Sequence, residues 1–321
     1  MTQQAQGWKG ILGIQKEATL AVDPVVPAMK KVYFESASLS ATRNLISSNV
    51  ISGTRNPTAP SLGNIDVQGD ISTELQAYIA TLLEGVLGVP TTVGAASPYT
   101  HTFKAGGSLL SYVIELGYVD IAQYFKYNGC KFSKMSLSTT PEGYQKVSFG
   151  IVGVKETIGA ATFDPAVADL GKTSFTGFNA SIKEGGIAIA DVSKLDLSIE
   201  NNLDTSSYVI GGAGTRGSLN EGAIKVSGSI DVLFKDTALL TKAISGTESS
   251  LEVTYSLGDG LGAVGNESIS FKIPELIYSQ KSPGISGPGG VLVSLSFEGY
   301  YANSTEASAF QVILKSSQAV V

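Results

Sequence analysis

The chain has 321 residues, room for roughly two domains of ~150 residues each, and its hydrophobic fraction of 43% is enough to fill real cores. Charged residues make up only 16%, against ~25% in typical soluble domains, and 37 glycines suit many short strands joined by tight turns. The net charge of −6 excludes tight binding of nucleic acid through its phosphates, which needs a basic footprint, and a single cysteine, Cys130, excludes an internal disulfide framework.

The first stretch, MTQQAQGWKGILGIQKEA, has no basic segment leading into an apolar core, so no secretory leader is expected and folding in a cytoplasm is. No apolar run approaches the ~18 residues of a membrane-spanning helix. Trp8, the only tryptophan, stands with Ile11, Leu12 and Ile14 among Gly7, Gly10 and Gly13. An apolar segment of this kind needs a cover. Residues 1–20 are therefore expected either as an arm reaching a neighbouring molecule or as a strand on their own domain.

Further along, IDVQGDISTELQAYIATLLEGVLG (residues 65–88) reads as a strand followed by a helix. The helix is expected from near Ser72, with Leu75, Ile79, Leu82, Leu83 and Val86 on one stripe and Gly88 as its stop. His101, the only histidine, is expected on the surface or in a loop, and it rules out histidine-based metal clusters. Cys130 has no adjacent base and reads as a small buried hydrophobe. KFSKMSLSTTPEGYQKVSFGIV reads as a long hairpin turning at Pro141–Gly143. An Ala/Gly-rich stretch over residues 157–172 marks a boundary, dividing the chain into domains 1–160 and 161–321.

Past that boundary the alternation of period two is clean. Leu195, Leu197 and Ile199 oppose Asp196, Ser198 and Glu200, and Leu251, Val253 and Tyr255 oppose Glu252 and Thr254. IKVSGSIDVLFKDTALLTKAISG (residues 224–246) then reads as a strand and a helix stopped by Gly246. GLGAVG (residues 260–265) satisfies G-x-G-x-x-G, but strands flank it on both sides, so it reads as a hairpin loop and not a dinucleotide site. ELIYSQKSPGISGPGGVLVSLSF forms a second hairpin turning through Pro283 to Gly290.

These elements come twice. Gly69 and Gly228 align at an offset of about half the chain, bringing Ile65 onto Ile224, Val67 onto Val226 and Ile71 onto Ile230. NLISSNVISGTR (44–55) matches NLDTSSYVIGGAGTR (202–216), and VSFGIVG (147–153) matches VSLSFEG (293–299). One repeat of this length is a duplicated domain, since solenoid periods run ~20–50 residues. The fold class is therefore mainly β: two tandem β-sandwich or barrel domains, each with a flanking α-helix and a long hairpin. No catalytic motif, metal set or cofactor site is visible, and the chain does not read as an enzyme.

The order of motifs resembles a bacteriophage tail tube protein of the duplicated-domain type. The resembling residues include GWKGILGIQKEATLAV, GTRNP, VQGDISTEL, PEGYQKVSFGIVGVKE, LDLSIENNLD, GSIDVLFKD and ISGPGGVLVSLSFEGYYA, from about Gly7 to Leu314. The resemblance implies a structural virion protein that polymerises into stacked rings lined by hairpins, forming a conduit for DNA ejection. It implies the virion tail as the final location and the host cytoplasm during assembly. The implied partners are the chain itself, tape-measure, tail terminator and tail tip proteins, and DNA in transit, with no cofactor and no membrane. Two domains per chain would let three chains fill six positions, a pseudo-hexamer with threefold symmetry. The candidate assembly residues are Trp8, Ile11 and Leu12 in the arm, Pro141 and Gly143 in the first hairpin, and Pro283, Pro288 and Gly290 in the second.

Residues 1–158 carry 12 Lys+Arg against 11 Asp+Glu, a net charge of +1, and residues 159–321 carry 10 against 17, a net charge of −7. A neutral to acidic lumen lets phosphates pass without sticking. Two alternatives stay open on sequence alone: a β-sandwich adhesin or decoration protein, and the inner tube of a contractile tail.

Overall fold

The computed structural model describes residues 4–285 and 287–319. The first half of the chain runs β1 (Gly10–Lys16), β2 (Lys30–Val32), β3 (Ser36–Ala37), β4 (Ser40–Ile46), β5 (Ser61–Glu74), α1 (Ala80–Leu87), β6 (Thr91–Val93), β7 (Tyr99–Lys104), β8 (Tyr112–Tyr118), β9 (Gln123–Thr139), β10 (Lys146–Gly153) and β11 (Lys155–Gly159). The second runs β12 (Ala180–Glu184), β13 (Ile187–Ile189), β14 (Val192–Glu200), β15 (Lys225–Leu233), α2 (Ala238–Ser245), β16 (Ser249–Ser256), β17 (Ser268–Tyr278), β18 (Leu292–Tyr300) and β19 (Gln311–Ser316). The fold is mainly β, as the alternating segments predict.

Strand pairing follows one plan in both series. In the first, β4 pairs with β5, then β10, β9, β8, β1 and β2 follow in order, with β11 on the free side of β9. In the second, β14 pairs with β15, then β18, β17, β16, β12 and β13, with β19 on the free side of β17. A helix follows β5 in one and β15 in the other. All these pairings are antiparallel, so each strand can bury one face and wet the other.

The two series are knitted together in two places. β14 adds to the C-terminal part of β9, from Leu195 opposite Thr139 to Glu200 opposite Lys134. The β6–β7 hairpin of the first series lies on β19 of the second, from Tyr99 opposite Ser316 to Lys104 opposite Gln311. Segment 160–176 stays with the first series: Lys31 N–H donates to Ala168 O, Ala77 N–H to Thr173 O, and Gln145 N–H to Phe175 O. One contiguous apolar core, from Leu12 to Leu314, runs through both series.

The helix ends agree with the sequence, but one start does not. Gly88 (φ +87°) and Gly246 (φ +63°) terminate α1 and α2 as expected. The first helix begins at Ala80, not near Ser72. Ser72 to Glu74 are claimed by β5, whose ladder with Ser148 to Lys146 satisfies backbone groups that a helix start would leave unpaired. α1 then packs against β9 through Gly85, where a Cβ would fall 2.3 Å from the Phe132 ring. α2 is less deeply seated: of its residues only Ala243 is buried, and Ile244 is 60% exposed.

His101 is also placed differently from the expectation. It is fully buried on β7, with Nδ1 2.9 Å from Thr92 Oγ1 and Nε2 2.8 Å from Gln318 O. The backbone pairing that carries β7 onto β19 takes it inside. Cys130 is buried as expected, and burial raises its thiol pKa well above the ordinary value. The glycines of 260–265 lie in the loop between β16 and β17.

Candidate functional site

The seam between β9 and β14 fuses the two series into one continuous sheet, ordered β4–β5–β10–β9–β14–β15–β18–β17. One face of this sheet is core. Ile71, Phe149, Leu137, Leu197, Ile230 and Leu295 are all buried there. The other face is a shallow concavity of about 860 Å³, half of whose lining residues are serines.

The register places those serines in rows running across the strands. Ser72, Ser148, Ser136, Ser198, Ser227 and Glu298 are successive partners on six strands. The adjacent row is Glu74, Lys146, Ser138, Asp196, Ser229 and Ser296. Alternation explains this directly: each strand has apolar residues in one phase and short polar ones in the other. Ser72 and Ser148 hydroxyls are 3.1 Å apart, and Ser138 donates to Asp196 at 2.6 Å.

The lysines of this face are held close to carboxylates. Lys146 lies 2.8 Å from Glu35, Lys194 2.5 Å from Asp196 and Lys134 4.0 Å from Glu200. Lys225 stands opposite Glu200 in the register. Glu298 and Asp231 have no ion-pair partner among the described residues. The surface is therefore small-side-chained, polar and neutral to acidic, a chemistry that does not favour holding phosphates.

The candidate assembly residues divide by position. Trp8 sits in a single 3-10 turn (Gly7–Lys9), 80% exposed, with the Lys9 ammonium 5.1 Å from its ring centroid. Ile11 is 38% exposed. Leu12, read as part of an outreaching arm, is fully buried, because β1 is a strand paired with both β2 and β8. The arm thus shortens to the residues ahead of Gly10, of which 1–3 lie outside the described residues. Pro141 and Gly143 (φ +84°) form the exposed turn between β9 and β10. Pro283, Pro288 and Gly290 lie in the open loop between β17 and β18, which pair only from Glu275 to Tyr278. The seam itself left no trace in the sequence patterns, because period-two alternation says which face is wet but not which strand lies beside which.

Among the described residues no group of three or more His, Cys, Asp or Glu side chains could hold a metal ion. Among the same residues no helix is long and apolar enough to cross a membrane.

A family model described as "Phage tail tube protein" matches residues 7–299. No curated protein sequence matches. Among solved structures, a chain of the baseplate of the anti-feeding prophage, determined by electron cryomicroscopy with sixfold symmetry, is similar at 9% identity and a TM-score of 0.34. The match covers 50% of this chain and 97% of that one. The chain belongs to the phage tail tube protein family and is a structural, non-enzymatic component of the virion tail.

Proposed function

We propose that three copies of the chain close into a ring of pseudo-sixfold symmetry and that stacked rings form a tube lined by the serine face, through which DNA is ejected into the host. In this reading residues 1–160 and 161–321 are two tail-tube-like domains, each filling one of six positions. The observation that carries it is the continuous eight-strand sheet with one dry and one serine-rich face.

Strand spacing supports the number. Three chains of eight strands at ~4.8 Å give a wall ~115 Å around, or ~37 Å between opposite backbones. Side chains take ~5 Å from each wall, half the spacing of packed sheets, which leaves room for a DNA duplex, and the strand tilt of a closed barrel widens it further. Closure also removes the open edges of the sheet, which are aggregation hazards in a lone molecule. Tape-measure, terminator and tail tip proteins would meet the tube along its bore or at its ends. Assembly would take place in the host cytoplasm.

The test is electron microscopy and native mass measurement of the purified protein, followed by ejection assays on phage carrying Ser136→Lys and Ser198→Lys. Rings of three chains, and slowed ejection by the lysine variant, are expected. Rings of six chains overturn the pseudo-hexamer, monodisperse monomers overturn ring closure by the chain itself, and unslowed ejection through intact tubes removes the serine face from the lumen.

A further inference from the structure

The internal seam is a template for a contact that the isolated chain cannot make. On its second-series side, the seam is β14 and the loop after it, residues 201–224. That loop crosses onto the first series: Ile65 N–H donates to Gly214 O at 2.7 Å, the Tyr208 hydroxyl donates to Ile65 O at 3.0 Å, and Arg216 Nη1 donates to Gly153 O at 2.8 Å. On its first-series side, the seam is the C-terminal part of β9.

Each of these pieces has a counterpart that is left without a partner. β4 is the counterpart of β14, and among the described residues it pairs on one side only, with β5. The counterpart of loop 201–224 is the loop after β4, where Gly53-Thr54-Arg55 repeats Gly214-Thr215-Arg216. Arg55 is exposed and Arg216 is buried. Leu45 is 64% exposed, whereas its sibling Leu203 packs beside Val152, Val154 and Leu219. The counterpart of the C-terminal part of β9 is the stretch after β17, residues 279–285, which forms no strand and leaves Ile285 86% exposed. One open end of the sheet therefore matches what the other open end lacks, as head-to-tail contacts require.

Resting on the tube reading above, we propose that neighbouring chains join by copying this seam: residues 279–285 of one chain add as a strand to β4 of the next. The loop after β4, led by Arg55, then clasps the first chain at Ile224 and Gly299, the counterparts of Ile65 and Gly153. The copy is not identical: its loop is three residues shorter and Asn49 stands where the seam has Tyr208. Asp66, which receives Arg216, is matched by Lys225. Arg55 therefore finds a carbonyl and a like charge where Arg216 finds a carboxylate, and the seam between chains is the weaker of the two.

Cysteine cross-linking tests this, because the only native cysteine, Cys130, is fully buried. Ala41→Cys is combined in turn with cysteine at Ser279, Gln280, Lys281 and Ser282 in the full chain. Covalent trimers under non-reducing conditions are expected at alternate positions, since strand side chains alternate. Lys225→Asp is expected to slow ring dissociation on the order of tenfold, and Arg55→Ala to cancel that gain. Rings by microscopy with no cross-link from any of the four pairs, or ring lifetimes unmoved by Lys225→Asp, overturn the seam and leave the tube reading standing. Absence of rings from the unmodified protein overturns the tube reading, and the seam with it.

Discussion

Arg216 and Asp66 form an ion pair across the two strand series, between residues 150 positions apart. The guanidinium also donates to Gly153 O at 2.8 Å and Thr205 O at 2.9 Å and stacks 5.3 Å from the Tyr208 ring centroid. Its side chain is 3% exposed, while that of Asp66 is 37% exposed. Arg216 is thus a bolt through the internal seam.

Arg216→Ala is expected to destabilise the chain by about 1–3 kcal/mol, since removing it strands the buried Gly153 carbonyl while Thr205 and Asp66 can still reach water. Arg216→Lys should recover only part of this, because an ammonium cannot match the planar fork. Urea unfolding of the two variants against the parent checks both statements. An Arg216→Ala midpoint equal to the parent's would show that the seam does not depend on the bolt.

The helix seat offers a second check. Gly85→Ala places a methyl 2.3 Å from the Phe132 ring, which packs edge-on against Tyr112 and Phe149. Overpacking of this kind costs about 1–3 kcal/mol, more than the ~1 kcal/mol that alanine gains over glycine in a helix. Net destabilisation is expected, with partial rescue by Phe132→Leu. Thermal unfolding of the single and double variants decides it, and a stabilised Gly85→Ala would contradict the packing.

How much of this was legible in the sequence follows from what periodicity encodes. The alternation at Leu195, Leu197 and Ile199 names a half-buried strand and its wet residues, and Gly88 and Gly246 name helix ends, because those signals are local. The repeat aligned Arg55 with Arg216, yet only the structure separates them: one is bolted beneath Tyr208 and the other is exposed. His101 was misplaced, and the choice between arm and strand for Leu12 was left open, for a related reason. Both residues owe their burial to strands paired across long stretches of chain, β1 with β8 and β7 with β19. Local composition, rich in glycine in one case and polar in the other, does not carry that information.

Acid should open the segment that links the two series. The Asp169 carboxylate is held down to a pKa of about 2, first by the Lys31 ammonium at 2.8 Å, then by Gly171 N–H at 2.9 Å and the Tyr33 hydroxyl. A folded pKa below the ordinary 3.8 means the contribution is complete above about pH 4 and is lost as pH falls through about 2. Hydrogen exchange at the Lys31 amide, which donates to Ala168 O at 2.9 Å, should accelerate over that window. Asp169→Asn should show faster exchange already at pH 5 and no such step. A step retained in the variant would assign the acid response elsewhere.

Trp8 and Leu12 lie four residues apart and should respond in opposite ways. Leu12 is fully buried in the core, so Leu12→Ala is expected to cost about 2–5 kcal/mol by leaving a cavity. Trp8 is 80% exposed, and its one notable contact is with Lys9, an exposed cation–π pair worth ~0.5–1 kcal/mol. Trp8→Ala should therefore leave urea unfolding of the dissociated chain almost unmoved. If the short segment ahead of Gly10 docks on a neighbouring ring, the same variant should form rings that stack poorly into tubes. Tube length by electron microscopy, set beside the unfolding midpoint, separates the two roles. Normal tubes from Trp8→Ala would leave the exposed indole with no part in assembly.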